Sequence, residues 1–223
     1  MKLSKKTLSI LKNFVGINNS IAIKPGSTIA TIAVTKNIYA SATIEEEFPI
    51  GFAIYDLAEF AQSFDLFAND PELNFTNDKF VKFVDGKLSV KYFFTDPEVI
   101  ISAPDTKPNL GESQFNFNLD VVTFEKLMRA FNTMKFPDLC IECDGSDVNV
   151  ICKDKDNNTS NTFSIEVGNS SDTFRYNLKT ENFKILKGNY KVNLYSKAVK
   201  FTNTVDKLEY IIALEPDSSF QKS

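Results

Sequence analysis

The apolar positions of the first eighteen residues recur three and four apart. Across Met1–Asn18, Leu8, Leu11 and Phe14/Val15 share one side of a helix that Ser4 can cap. Its other faces carry Lys5, Lys6 and Lys12, Lys2 stands just before, and the segment contains no acid. The pattern then shortens to runs rich in Ile, Val, Thr and aromatics: Ile21–Ile23, Thr28–Val34, Ile38–Ile44 and Phe48–Tyr55. Lys24-Pro25-Gly26-Ser27 and Thr35-Lys36-Asn37 separate them as turns, and Glu45-Glu46-Glu47 reads as a solvated turn, so antiparallel strands are predicted. Asp56 caps a second predicted helix, with Glu59 placed for a capping box and Leu57, Phe60, Phe64 and Phe67 as its stripe, ending near Asn69-Asp70-Pro71. Strands follow at Glu72–Thr76, Lys79–Val84, Lys87–Phe94 and Val99–Ile101.

The segment Pro104–Ser113, PDTKPNLGES, breaks the pattern with two prolines, a glycine and little apolar content, and reads as an interdomain linker between domains at 1–103 and 114–223. The second half repeats the plan. After a strand at Phe115–Leu119, Asp120 caps a third helix with Val121, Phe124, Leu127/Met128 and Phe131 inward and Lys126 and Arg129 outward. Strands are predicted at Leu139–Cys143, Asp147–Cys152, Thr162–Val167 and Thr173–Leu178. Thr180 caps a short fourth helix, Glu181–Leu186, stopped at Gly188. Asn189–Tyr195, Lys197–Phe201 and Lys207–Leu214 complete the strands, and Ser218–Ser223 reads as a frayed tail. A helix followed by strands thus recurs four times, once every ~50–65 residues. No such helix can bury its stripe alone, so each must lie on a sheet. The fold class is α+β, with two similar domains, each carrying two helices on one face of antiparallel sheets.

Charge sharpens this. The four helical segments together carry +4, while the whole chain carries −4, leaving −8 on strands and loops. The acidic total argues against nucleic-acid binding by the whole surface and leaves room for a local basic face. Helix two, with Asp56, Glu59 and Asp65, is the exception to a uniformly basic set of helices. The competing reading of a charge run is a solvated face, the ordinary fate of such residues.

Other chemistry narrows the function. The chain has 223 residues, enough for two modest cores, and no histidine, which removes the commonest general base and metal ligand. Cys140 and Cys143 form C-x-x-C, but on a strand residues three apart point to opposite faces, and no second pair exists; with Cys152 they read as buried thiols in a reducing compartment. Asp154–Asn158 begins like a calcium loop but has Thr159 where the sharp turn needs glycine, and Glu166 falls one residue late, so a polar hairpin loop is expected. No nucleophile elbow, phosphate loop or dinucleotide fingerprint occurs, so no catalytic residue, cofactor or metal is expected. With no apolar run long enough for a membrane span and Lys12-Asn13 interrupting the first helix, a soluble, non-secreted protein is expected.

Met1-Lys2-Leu3-Ser4-Lys5 with Leu11-Lys12-Asn13-Phe14 and Ile17-Asn18, then Ala53-Ile54-Tyr55-Asp56-Leu57, Gly188-Asn189-Tyr190-Lys191, and Ala213-Leu214-Glu215 with Asp217-Ser218, occur in an order and spacing that resemble the DNA polymerase sliding clamps of T-even-type bacteriophages. The resemblance runs end to end, is by pattern in the middle, and lapses at Lys153–Asn161. It implies a homotrimeric ring whose helices line a hole around duplex DNA and which tethers the replicative polymerase without catalysing a reaction. It also implies an ATP-driven clamp loader, late-transcription factors as further partners, and residence in the cytoplasm of an infected bacterium. On this resemblance Lys5, Lys6, Lys12, Lys126, Arg129, Lys184 and Lys187 face DNA, and Leu110, Ile212, Leu214 and Pro216 form a pocket for a partner's apolar peptide. Alternation puts Ile212 and Leu214 on one strand face, which is also a core pattern. Two competing readings are a phage structural or assembly ring protein that packs protein and not DNA, and a single-stranded nucleic-acid binder. The first leaves the acid-free lysine helix unexplained; the second needs exposed aromatics where these alternate as core.

Overall fold

Antiparallel pairing of short strands, with helices laid on them, accounts for nearly all of the computed structural model, which describes Met1–Ser223. The chain divides into two compact units, Met1–Lys107 and Pro108–Ser223.

In the first unit, α1 (Lys5–Val15) buries Thr7, Ile10, Leu11 and Phe14 and leaves Leu8 half-buried. It is followed by β1 (Ile21–Ile23), β2 (Gly26–Ile32), β3 (Ile38–Phe48) and β4 (Phe52–Ile54), with β1 paired to β4 and β2 to β3. The turn joining β2 to β3 places Lys36 at φ 59°. Asp56 caps α2 (Leu57–Gln62), accepting the Glu59 N–H at 2.8 Å. The helix is shorter than the stripe predicts, because Ser63 donates its hydroxyl to the Glu59 carbonyl and the chain tightens into a 3₁₀ turn over Ser63–Leu66. The stripe survives the change: Phe60, Phe64 and Phe67 all pack on Phe83, the first two edge-on and the third stacked, with ring centroids 5.5, 4.9 and 6.1 Å away. Phe83 lies on β6 (Phe80–Asp85), between β5 (Glu72–Asn74) and β7 (Leu88–Phe93). The strand expected over Val99–Ile101 does not form. Pro97 and the Asp96 side chain, which accepts the Glu98 N–H, start a 3₁₀ turn over Pro97–Val99 instead.

The second unit holds two sheets. One runs β11 (Phe163–Asn169), β10 (Asp147–Lys153), β9 (Asp138–Asp144), β12 (Thr173–Lys179), β16 (Ser219–Gln221). The other pairs β15 (Leu208–Ala213), β14 (Ala198–Asn203), β13 (Tyr190–Leu194) and β8 (Phe115–Leu119). α3 (Val121–Met134) is capped by Asp120, which accepts the Thr123 N–H at 2.7 Å, and buries Phe124, Leu127, Ala130 and Phe131.

The expected fourth helix is absent; only a 3₁₀ turn over Thr180–Asn182 forms. Thr180 does not cap it, since its hydroxyl donates to the Phe136 carbonyl at 2.6 Å. Phe183 and Ile185, two apart, are both buried, a spacing a helix cannot present to one core. Tyrosine hydroxyls replace the helical bonds: Leu186 N–H donates to Tyr210 Oη at 3.2 Å, and Tyr190 Oη donates to the Leu186 carbonyl at 2.6 Å. Gly188 is required for closeness and not as a helix stop, since a Cβ there would stand 2.6 Å from Asn203 Nδ2.

The expected tail is also structured. β16 pairs with β12, and Phe220 stacks on Phe174 at 6.2 Å. Lys155, in the loop after β10, reaches Asp217 at 2.8 Å, and each partner holds the other ionised, raising the lysine pKa and lowering the aspartate's.

The glutamate run is not a turn. Glu45, Glu46 and Glu47 all lie on β3, and alternation turns Glu46 inward between its exposed neighbours. Its carboxylate accepts the Thr7 hydroxyl at 2.6 Å and the Ser4 backbone N–H, closing the N-terminus of α1 from outside the helix. Partial burial opposes the charge, but the bonds from Thr7 and Ser4 outweigh it and hold the carboxyl below the ordinary glutamate value. A group so depressed stabilises the fold at neutral pH and loses that contribution as pH falls through its folded value. Glu46→Gln should therefore cost about 1 kcal/mol at pH 7. The deficit relative to the native chain should vanish in acid, as read by urea unfolding across a pH series. An unchanged deficit at pH 3 would show that shape, and not charge, matters at this cap.

Candidate nucleic-acid interface

The polar face of α1 exists because its opposite face is committed to the core. Lys5, Ser9 and Lys12, at i, i+4 and i+7, form one lengthwise row, and this row walls a cleft of about 550 Å³. The facing wall comes from the 3₁₀ turn and the segment after it, with Phe64, Phe67, Asp65 and Asp70. Lys12 Nζ contacts both Asp65 carboxylate oxygens, at 3.2 and 3.3 Å. Lys6 is exposed and outside this row.

In the second unit, Lys126 and Arg129 are exposed one turn apart on α3. Glu125, beside Lys126, forms an ion pair with Lys187. Lys184 and Lys187 are exposed on the extended segment that replaces the expected helix. Lys5 and Lys12 thus share one cleft. Lys187 is joined to α3 through Glu125, whereas Lys184 lies between buried Phe183 and Ile185 and is turned outward by alternation.

The predicted peptide-pocket residues separate. Leu110, half-buried, lines a cavity of about 250 Å³ with Asn109, Gly111, Tyr195, Ser196, Lys197 and Ala198. Leu214 adjoins it, its N–H donating to the Lys197 carbonyl at 3.0 Å, and Pro216 is exposed. Ile212 is 0 % exposed and belongs to the core, so it has no surface to offer a peptide; β15 is covered on both faces, with Leu208 to Ile212 all buried. Sequence reasoning missed Tyr195, in the β13–β14 turn, and Ala198, at the start of β14, which line the cavity and carry no local motif.

The thiols offer no reactive group. Cys140, Cys143 and Cys152 are free and buried, and burial pushes Cys140 and Cys152 up to about 12, so both stay protonated. The loop from Asp154 is held by its own turns, with Asp156 N–H on Asp154 Oδ1 and Thr159 N–H on Asn157 Oδ1. Sequence reasoning also missed Asp65 and Glu125 as lysine partners, since only folding brings residues 53 apart, or 62 apart, into contact. The acidic second helix is the one signal that pointed to Asp65.

Residues 2–95 match the family model for DNA polymerase processivity factors, and residues 116–216 match that for the C-terminal part of the gp45 sliding clamp. The sliding clamp of Vibrio phage KVP40 is 32 % identical over 96 % of this chain and 99 % of its own length. That of Escherichia phage RB69 is 31 % identical over 98 % and 99 %. Among solved structures, A. fulgidus PCNA bound to the C-terminal region of FEN-1 superposes with a TM-score of 0.72 at 14 % identity, covering 98 % of each chain, which carries the fold alone. With both family models matched in order and phage clamps aligned along nearly its whole length, this chain belongs to the sliding-clamp family of phage DNA polymerase processivity factors.

Proposed function

We propose that three copies of this chain close into a ring around duplex DNA and tether the replicative polymerase to it, with no catalytic step of their own. The acid-free row on α1, mounted on a buried apolar face, is the observation that carries this reading. A tether must hold phosphates without reading bases, and it must also move. Flexible lysines acting as point charges meet both needs, because phosphate contacts carry no sequence information. Lys5, Lys6, Lys12, Lys126, Arg129, Lys184 and Lys187 are assigned this role. The remaining surface, net acidic, discourages DNA from settling elsewhere.

Two sheet edges support the ring. β7 pairs only with β6, and β11 only with β10, so each has one unpaired side. β7 exposes Leu88 and Phe93, with Phe93 65 % exposed, and carries Lys91; β11 exposes Glu166. An open edge with large apolar side chains is an association surface. Joining β7 of one copy to β11 of the next is a head-to-tail contact that can close.

The cavity beside Leu110, with Leu214 and Pro216 near it, is assigned to an apolar peptide from the polymerase, the clamp loader or late-transcription factors. A. fulgidus PCNA, which shares the fold, is a protein that binds the C-terminal region of FEN-1. The site of action is the cytoplasm of the infected bacterium. The reading as a structural ring protein falls away, because family and lysine row point together to DNA replication.

Loaded protein should remain on closed circular duplex and run off after linearisation; equal loss from both would refute a topological hold. Reversing Lys5, Lys6 and Lys12 to Glu should lower loading and polymerase stimulation by at least about tenfold. Native mass should be unchanged by this substitution. The native chain should run at three times its protomer mass, and Phe93→Asp should shift it towards monomer. Leu110→Asp should weaken polymerase-peptide binding by about tenfold in calorimetry. Ile212→Val should alter thermal stability but not that affinity.

A further inference from the structure

We propose that Asp65 and Glu125 are built-in rivals of DNA phosphate, each holding one DNA-facing lysine so that the clamp's grip stays weak enough to slide. The inference rests on the assignment of α1 and of the Lys187 segment to the DNA side.

Each unit carries the same device on a different scaffold. In the first, Asp65 on the 3₁₀ turn presents both carboxylate oxygens to Lys12 Nζ, at 3.2 and 3.3 Å. In the second, Glu125 on α3 pairs with Lys187. Both pairs are open to solvent, with side-chain exposures of 48 % and 65 % for Lys12 and Asp65, and 63 % and 43 % for Lys187 and Glu125. Pairs this exposed add little to fold stability, so they can exchange partners cheaply. A carboxylate, like a phosphate, offers the ammonium anionic oxygen acceptors, and the two compete for it.

The surroundings of Lys12 favour such an exchange. The cleft that holds the pair has Lys5, Ser9 and Lys12 on one wall and Asp65 and Asp70 on the other, so its fixed charges balance. An incoming phosphate meets a cation already satisfied and must displace a carboxylate, releasing one negative charge into water beside it. Each such exchange is close to neutral in energy. A lysine that can return to its own carboxylate does not have to wait for the next phosphate. Both the depth of each phosphate well and the barrier between neighbouring wells fall. This gives one of the acids of the predicted second helix a purpose: Asp65, on the 3₁₀ turn that follows α2, faces a lysine of α1.

The test uses the full-length chain as Asp65→Asn, Glu125→Gln, and Asp65→Asn combined with Lys12→Gln. Asp105→Asn is the matched control, since Asp105 pairs with Lys24, an exposed lysine with no assigned DNA role, and the charge change is identical. Binding of each protein to a linear duplex is followed by anisotropy against salt, and diffusion of loaded clamps on stretched duplex by single-molecule tracking. Asp65→Asn and Glu125→Gln should each raise low-salt affinity about 2- to 5-fold, steepen the log–log salt slope by about 0.9 for each extra phosphate contact, and slow diffusion. Combining Asp65→Asn with Lys12→Gln should abolish the gain. An equal gain from Asp105→Asn would reduce the effect to net charge and overturn the proposal, as would a gain that survives loss of Lys12. If Asp65→Asn changes nothing while reversal of Lys5, Lys6 and Lys12 still weakens DNA binding, the DNA-facing assignment stands and the rivalry fails. If neither has any effect, the assignment itself fails.

Discussion

Burial of one face of a short helix on a sheet is the constraint from which the rest follows. α1 has eleven residues, too few to persist alone in water. It survives because Ile10, Leu11 and Phe14 are enclosed and because Ser4 and Glu46 satisfy its first N–H groups. Once those contacts are made, Lys5, Ser9 and Lys12 have no freedom to turn inward. The cationic row is therefore a by-product of packing as much as of charge. α3 repeats the logic with Phe124, Leu127 and Phe131 below and Lys126 and Arg129 above.

The aromatic side chains explain how irregular backbone can serve the same end. Phe183 contacts Phe124, Phe131 and Phe201 at centroid distances of 5.8, 5.5 and 5.4 Å. That cluster holds the Thr180–Leu186 segment in place without a helix. In the first unit, Phe83 does the same for the stretched end of α2. A stripe of rings needs only to reach its partners; the backbone between them is free to tighten or extend.

Much of this was legible along the chain. The caps Ser4, Asp56 and Asp120 and the stripes behind them marked α1, α2 and α3, and the turn residues marked most strands. The failures have a common physical origin. Thr180 looked like a cap, but a carbonyl 44 positions earlier took its hydroxyl. Glu46 looked solvated, but α1 lay within reach of its strand. Ser219–Gln221 looked frayed, but an open edge of β12 was waiting for it. Local pattern reports what a segment prefers by itself, and these three were decided by distant partners. The cationic row was legible for the same reason that α1 was, being its complement. Its acidic counterweights and the cavity beside Leu110 were not, since each is assembled from remote parts of the chain.

The enclosure of Cys140, Cys143 and Cys152 has a practical side. Thiol-directed dyes attack the thiolate; all three sulfurs are shielded, and Cys140 and Cys152 are held protonated near neutrality by their burial. The native chain is therefore a silent background for maleimide chemistry. One engineered cysteine on the outer surface would carry a fluorophore alone, with no need to strip the protein of its own sulfur first.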